Sequence, residues 1–228
     1  MSTASAEKVT IRVDDKHLVS GLLTVPARAR ACYVLAHGAG AGMTHPFMAA
    51  VATGLGQRGI ATLRYQFPYM EHGSKRPDSP GLAHATVRAA VAEAARLAPA
   101  LPLVAGGKSF GGRMTSQAQA VSPLADVRGL VFLGFPLHPA KKPSVDRAQH
   151  LFDVRIPMLF LQGTRDTLAE LSLLAPLVEK LGKRARLKLF SGADHSFHVA
   201  GRRAQSDDEV RGEMLDEVAA WIDQLLAG

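Results

Sequence analysis

The feature that most constrains this chain is an alternation of two patterns. Short apolar runs, each too brief for a helix, are separated by longer segments whose apolar residues recur every three or four positions. Residues 33–36, 60–64, 103–105 and 130–133 are such runs, and each ends near a Gly, a Pro or a polar residue. Buried parallel strands read this way, because both their faces are covered. Residues 158–162 and 185–190 complete the set. Helical spacing fills the intervals 46–57, 82–97, 110–120, 168–181 and 208–226. Strand alternating with helix predicts an α/β protein with a mostly parallel sheet flanked by helices.

The first residues follow another rule. Residues 8–13 alternate polar and apolar, and residues 17–25 follow the turn-forming Asp14 and Asp15. This predicts an antiparallel hairpin at a sheet edge, for a total of about eight strands. The last helix is the clearest, with Val210, Met214, Val218, Trp221, Ile222 and Leu225 on one stripe and Ser206 and Glu209 spaced as a capping box. Pro176 interrupts the preceding helical pattern and predicts a kink or restart there. No repeat, low-complexity tract or linker composition divides the 228 residues, so one domain over 1–228 is expected, with 1–7 as a flexible tail.

Composition narrows the function classes. The chain is 47% hydrophobic and 21% charged, ordinary for a globular protein. Every apolar run is broken before the roughly 20 residues a bilayer span requires, and residues 1–7 lack the basic-then-apolar order of a secretory signal. The single cysteine, Cys32, sits in an apolar run, which suits a buried strand in a reducing, cytoplasmic setting. The net charge of +7 comes from scattered basic residues without a nucleic-acid motif. Neither nucleic acid nor membrane is therefore expected as a partner, and the chain is expected to be a monomer or homodimer. Lys141 and Lys142 fall in a loop expected to overhang the site, where they would favour anionic substrates.

In open α/β sheets the chemistry lies beyond the carboxyl ends of the strands, and three segments stand there. Gly107-Lys108-Ser109-Phe110-Gly111 follows the run 103–105 and matches G-x-S-x-G. A serine on so sharp a strand-to-helix turn needs small neighbours. A serine nucleophile also needs a base, and the base needs an orienting carboxylate. Asp166 follows the run 158–162, and His195 follows 185–190, giving the order Ser, Asp, His. Each residue alone reads as an ordinary turn or loop residue; the ordered set predicts a Ser109, His195, Asp166 triad. Asp194, adjacent to His195, competes for the acid role, but neighbouring side chains seldom meet with that geometry.

An acyl-transfer site also needs backbone donors for the oxyanion. Phe110, after the nucleophile, supplies one N–H, and the small-residue loop from His37 to Gly42 supplies the other, best at Ala39. Phe67, Tyr69, Met70 and His72 follow one strand and Phe135, Leu137 and His138 another. Of these, Tyr69, Met70 and Phe135 are the expected substrate contacts. No metal is expected, since His195 and His198 lack H-E-x-x-H spacing or a cysteine cluster. A phosphate loop is a poorer match to residues 106–109, and no cofactor is expected.

Five pieces carry a family resemblance: His37-Gly38-Ala39-Gly40, Phe67-Pro68-Tyr69-Met70-Glu71, Gly107-Lys108-Ser109-Phe110-Gly111-Gly112-Arg113, Gly163-Thr164-Arg165-Asp166 and Asp194-His195-Ser196-Phe197. They resemble the small dienelactone-hydrolase-like serine hydrolases of the α/β-hydrolase superfamily. More narrowly, they are similar to the α/β-hydrolase-like domain of many bacterial proteins and of a subunit of a chromatin-modifying complex, the non-specific lethal complex. The resemblance implies the α/β-hydrolase fold and gives the triad roles to Ser109, Asp166 and His195. Dienelactone hydrolases usually have a cysteine nucleophile, so serine here points away from dienelactone itself. Residues 136–155 are the only room for a cap, which implies a minimal lid and a small acyl substrate: an ester, thioester or lactone. The rival reading is a non-catalytic interaction module that keeps the fold.

Overall fold

A computed structural model of the chain describes residues 5–201 and 205–228. These residues hold eight strands: β1 Glu7–Arg12, β2 Leu18–Thr24, β3 Ala31–Ala36, β4 Ile60–Tyr65, β5 Leu103–Lys108, β6 Val127–Leu133, β7 Met158–Gly163 and β8 Ala185–Phe190. They form one sheet in the order β1-β2-β4-β3-β5-β6-β7-β8. The β1–β2 and β2–β4 pairings are antiparallel and the rest parallel. The tail expected over residues 1–7 lies partly outside the described residues, and Glu7 already opens β1.

Among the described residues six α-helices accompany the sheet: α1 Pro46–Gln57, α2 Pro68–Glu71, α3 Pro80–Leu97, α4 Phe110–Val121, α5 Leu171–Leu181 and α6 Asp207–Ala227. All six residues of β3, β4 and β7 are buried, which accounts for their unbroken apolar runs. Period-two alternation splits β3 between two cores. Ala31, Tyr33 and Leu35 pack with Met48 and Val51 of α1 and with Met214 and Ile222 of α6. Cys32, Val34 and Ala36 pack with Val87 and Ala90 of α3 and Met114 of α4. Burial pushes the Cys32 thiol up to about 12, so it serves as a small apolar side chain.

The helix ends show why these segments stop where they do. The capping box is present at α6: Ser206 Oγ accepts from Glu209 N–H at 3.2 Å, and Glu209 Oε2 accepts from Ser206 N–H at 2.7 Å. Each half of such a cap satisfies an orphan donor and contributes about 1 kcal/mol. Trp221, Val218 and Ile222 of α6 are buried, and truncating Trp221 to Ala would cost roughly 3–5 kcal/mol. Helix α5 departs from the expected span. It starts at Leu171 rather than 168 and runs through Pro176 to Leu181 without a break. The proline ring removes one bond, to the Ser172 carbonyl, and the buried Leu174, Leu177, Val178 and Leu181 hold the helix across the gap.

The segment between β6 and β7 carries a 3-10 helix, Asp146–Asp153, whose Ala148 and Leu151 are buried against the α4 face of the core. It rests on the domain as a short strap. Among the described residues, no helix is long and apolar enough to cross a membrane.

Candidate active site

Strand β5 delivers the nucleophile turn. Ser109 is the N-cap of α4 with φ 49° and ψ −115°, a left-handed conformation that costs a non-glycine residue about 1–3 kcal/mol. The turn is forced by crowding on both sides. Gly106 and Gly107 have φ of +145° and +151°; a Cβ on the first would lie 1.9 Å from the Val131 carbonyl oxygen, and on the second 2.2 Å from that of Ala36. Only glycine fits between the neighbouring strands here. The chain must then turn sharply into α4, which lifts the Ser109 hydroxyl off the sheet.

Strands β7 and β8 bring the other two polar groups to the same end of the sheet. His195 Nε2 lies 2.8 Å from Ser109 Oγ, and His195 Nδ1 lies 2.6 Å from Asp166 Oδ2. An ionised carboxylate only accepts, so the Nδ1 proton faces Asp166 and Nε2 is left as the acceptor for the serine hydroxyl. Asp166 Oδ1 accepts from Leu168 N–H at 2.8 Å, and Oδ2 accepts also from the Gln162 side-chain amide. The Asp166 side chain is fully buried while that of His195 is 23% exposed, so the carboxylate is sealed from water and the imidazole opens to the cleft. Asp194 is engaged elsewhere: its Oδ1 accepts from the N–H groups of Ser196 and His198 and shapes the loop.

The loop after β3 leans on the nucleophile turn. A Cβ on Gly38 would lie 3.7 Å from the Ser109 Cβ, and Ala39 next to it is exposed beside Ser109. Among the described residues, neither Ala39 N–H nor Phe110 N–H donates to a protein acceptor. His37 holds this loop from below. It is fully buried, its Nδ1–H donates to the Gly38 carbonyl at 2.8 Å, and its Nε2 accepts from Phe67 N–H at 3.1 Å. Burial takes its pKa down to about 4 despite the Gly38 bond, which fixes it as a neutral two-ended brace.

This geometry agrees with what the chain resembles. Residues 29–223 match the model of the alpha/beta hydrolase domain. The chain belongs to that family. The α/β-hydrolase fold is shared with a dienelactone hydrolase from Anabaena variabilis at a TM-score of 0.77 and 22% identity, over 98% of this chain and 99% of that one. An α/β serine hydrolase described as lacking a lid, from Xanthomonas campestris, superposes at 0.72 with 18% identity over 95% of each chain. Est1E of Butyrivibrio proteoclasticus does so at 0.72 with 16% identity, over 97% and 99%.

Two clefts flank Ser109 in this α/β hydrolase. The first, of about 650 Å³, is walled mainly by apolar groups, including Phe47, Met48, Leu168 and Phe197, and has His195 on its edge. The second, of about 370 Å³, lies across Ser109 and Ala39, toward Phe110 and Arg113. The three expected substrate contacts line neither. Tyr69 is 4% exposed, with its ring against His37, Phe67 and Phe110. Met70 is half-buried on the core. Helix α2 turns the Tyr69 ring inward under the nucleophile turn. Phe135 is buried between Phe132 and Phe160, and its N–H donates to Gln162 Oε1 at 2.9 Å. Lys141 and Lys142 are exposed and also line neither cleft.

Reading the sequence missed three supports of this α/β-hydrolase site. Gln162 is a wholly buried amide in an apolar run, a signal in itself, because such a group must find partners. Lys108 lies inside the recognised motif; its Nζ donates to the His195 carbonyl at 2.6 Å. His138 accepts from Glu170 N–H at 3.2 Å and ties the loop after β6 to the start of α5. His198 faces Asp207 at 2.8 Å, and among the described residues no three His, Cys, Asp or Glu side chains converge as metal ligands.

Proposed function

We propose that the chain is a serine hydrolase that cleaves a carboxylic ester, or a related thioester or lactone, through an acyl-enzyme on Ser109. The observation that carries this reading is the unbroken relay from Ser109 Oγ through His195 to Asp166, with hydrogen bonds of 2.8 and 2.6 Å. His195 Nε2 takes the hydroxyl proton as Oγ attacks the carbonyl carbon. The tetrahedral oxyanion is held by the N–H groups of Ala39 and Phe110. Collapse expels the alcohol, which receives its proton from His195. Water, deprotonated by the same nitrogen, then attacks the acyl-enzyme and releases the acid. Asp166 keeps the imidazole in the correct tautomer and stabilises its cationic form without taking the proton.

The cleft supports a small or flexible substrate, because the strap at 146–153 is short and leaves both sides of Ser109 open. The lidless description of the Xanthomonas protein points the same way. The test is labelling by a fluorophosphonate probe together with hydrolysis of short-chain 4-nitrophenyl esters, with Ser109→Ala as control. Labelling and turnover that both vanish in Ser109→Ala are expected. A folded wild-type protein that neither labels nor turns over ester would replace this reading with the interaction module.

A further inference from the structure

The two clefts are not equivalent once the leaving group is placed. In the acyl transfer proposed above, on which this inference rests, the leaving oxygen must take its proton from His195 Nε2 and so sits on the His195 side of Ser109. His195 and Phe197 line the first cleft and not the second. The alcohol portion therefore occupies the first, apolar cleft. The acyl chain, on the opposite side of the carbonyl carbon, points into the second.

The second cleft is cationic. Arg113 of α4 and Arg147 of the 3-10 helix both line it. Among the described residues, neither guanidinium has a carboxylate within ion-pair distance or a hydrogen-bond acceptor, and Arg113 Nε is buried without a partner. Burial costs a group like this dearly when no anion compensates it. The acid on this wall, Asp78, is occupied by Tyr69 N–H at 3.1 Å. Two arginines against one aspartate leave the wall net positive. The surroundings register that field. After burial, Arg147 is what lowers the Arg113 pKa, and Arg113 helps bring the nearby His150 down to about 4. These cations do not balance one another, and the Phe110 ring, 5.9 Å from the Arg113 guanidinium, brings no formal counter-charge.

We infer that Arg113 and Arg147 form an acyl-side subsite for a carboxylate, and that the substrate is a half-ester of a dicarboxylic acid with an apolar alcohol. A guanidinium fork matches a planar carboxylate with two parallel N–H···O bonds. Hydrolysis at the far ester would release the dicarboxylate and the alcohol. The expectation of an anionic substrate, first placed on Lys141 and Lys142, thus moves to residues on the cleft wall.

The experiment compares 4-nitrophenyl hydrogen adipate and suberate with their methyl esters, which have the same chain but no charge, in wild type and in Arg147→Gln. Arg147 lies on the strap, so this variant avoids α4. For at least one chain length, kcat/KM should favour the acid by roughly tenfold or more, and the ratio should fall toward one in Arg147→Gln or above 0.5 M salt. Calorimetric binding of monomethyl adipate and suberate, read in parallel, needs no turnover. Turnover of both forms with no preference for the acid overturns the subsite and keeps the hydrolase. Binding lost in Arg147→Gln, with no turnover of either ester by wild type, keeps the subsite and overturns the hydrolase. Neither binding nor turnover overturns both.

Discussion

The turn that carries Ser109 and the loops that carry its partners are held in opposite ways. At Gly106 and Gly107 the restraint is steric, with strand carbonyls within 2.2 Å of where any Cβ would go. The His195 loop, the Asp166 turn and the loop after β3 are held by hydrogen bonds: Asp194 to Ser196 and His198, Gln162 to Asp166, Lys108 to His195, His37 to Gly38 and Phe67. Close packing has no adjustable setting and tolerates left-handed strain at Ser109. Polar braces can be broken singly, and they respond to pH.

The largest effect comes from the atom both regions share. Ser109→Ala removes Oγ and touches neither kind of support, so the proposed ester hydrolysis should fall by about 10⁴ to 10⁶-fold. Its thermal midpoint should stay within about 2 °C of wild type, because the strain at Ser109 lies in a backbone that alanine must adopt as well. Activity retained above one part in 10³ would move the nucleophile elsewhere. Next is Gly107→Ala. The added methyl must displace the Ala36 carbonyl, 2.2 Å away, or reshape a backbone at φ +151°. A loss of at least about 4 kcal/mol is expected, read as the urea midpoint or as failure to accumulate in soluble form. A mild loss, under about 1 kcal/mol, would show that the turn can relax and that the contrast between steric and polar restraint is overdrawn.

Acid tests the polar half. His37 has a folded-state pKa of about 4, below the ordinary value near 6.5. Between these values the unfolded chain binds the proton and the native protein does not. Stability is therefore complete above about pH 6.5 and is lost as pH falls toward 4, by of order 3 kcal/mol from this residue. His150, also held near 4, adds a loss of the same sign. Urea midpoints for wild type at pH 7 and 4.5 should differ by more than those of His37→Gln, whose neutral side chain carries no proton to lose. Equal differences in the two proteins would remove His37 from the list of braces.

The same contrast explains what could be read from the sequence. Steric features leave a local mark: the alternating runs located all eight strands to within three residues at either end, and G-x-S-x-G located the turn. The order Ser, Asp, His picked out three residues that the fold does bring within hydrogen-bond distance, because each follows its own strand. Polar braces leave a weaker mark, since a partner such as Phe67 N–H or the His195 carbonyl belongs to another strand's loop. Cleft walls were the least legible. Tyr69 and Phe135 looked like contacts because they follow strands, yet helix α2 and the Phe132–Phe160 cluster draw them inward. Phe47 and Phe197, which stack with centroids 6.3 Å apart, come from segments 150 residues apart and face the cleft instead. Direction of a side chain is a tertiary property, and type and spacing do not encode it singly.

Lys108 offers the smallest and sharpest test, because it sits at the junction of the two regimes. It is part of the nucleophile turn, yet its half-buried ammonium reaches across to the His195 carbonyl at 2.6 Å, with the Phe197 ring 5.6 Å away. Burial brings its pKa down to about 8, with Asp166 and Asp194 acting against the fall. Holding a charge there costs the fold about 3 kcal/mol, much of which a charge-assisted hydrogen bond of roughly 1.5–3 kcal/mol returns. Lys108→Met keeps the length and the apolar stem and removes both terms, so its thermal midpoint should shift by less than about 3 °C. The His195 loop nevertheless loses a brace, and kcat should drop about tenfold, with KM within twofold, since a misaligned base weakens the transition state more than ground-state binding. A fall in midpoint that matches the fall in activity would make Lys108 part of the scaffold. Lost activity at constant stability would make it the residue through which the rigid turn positions the loop it serves.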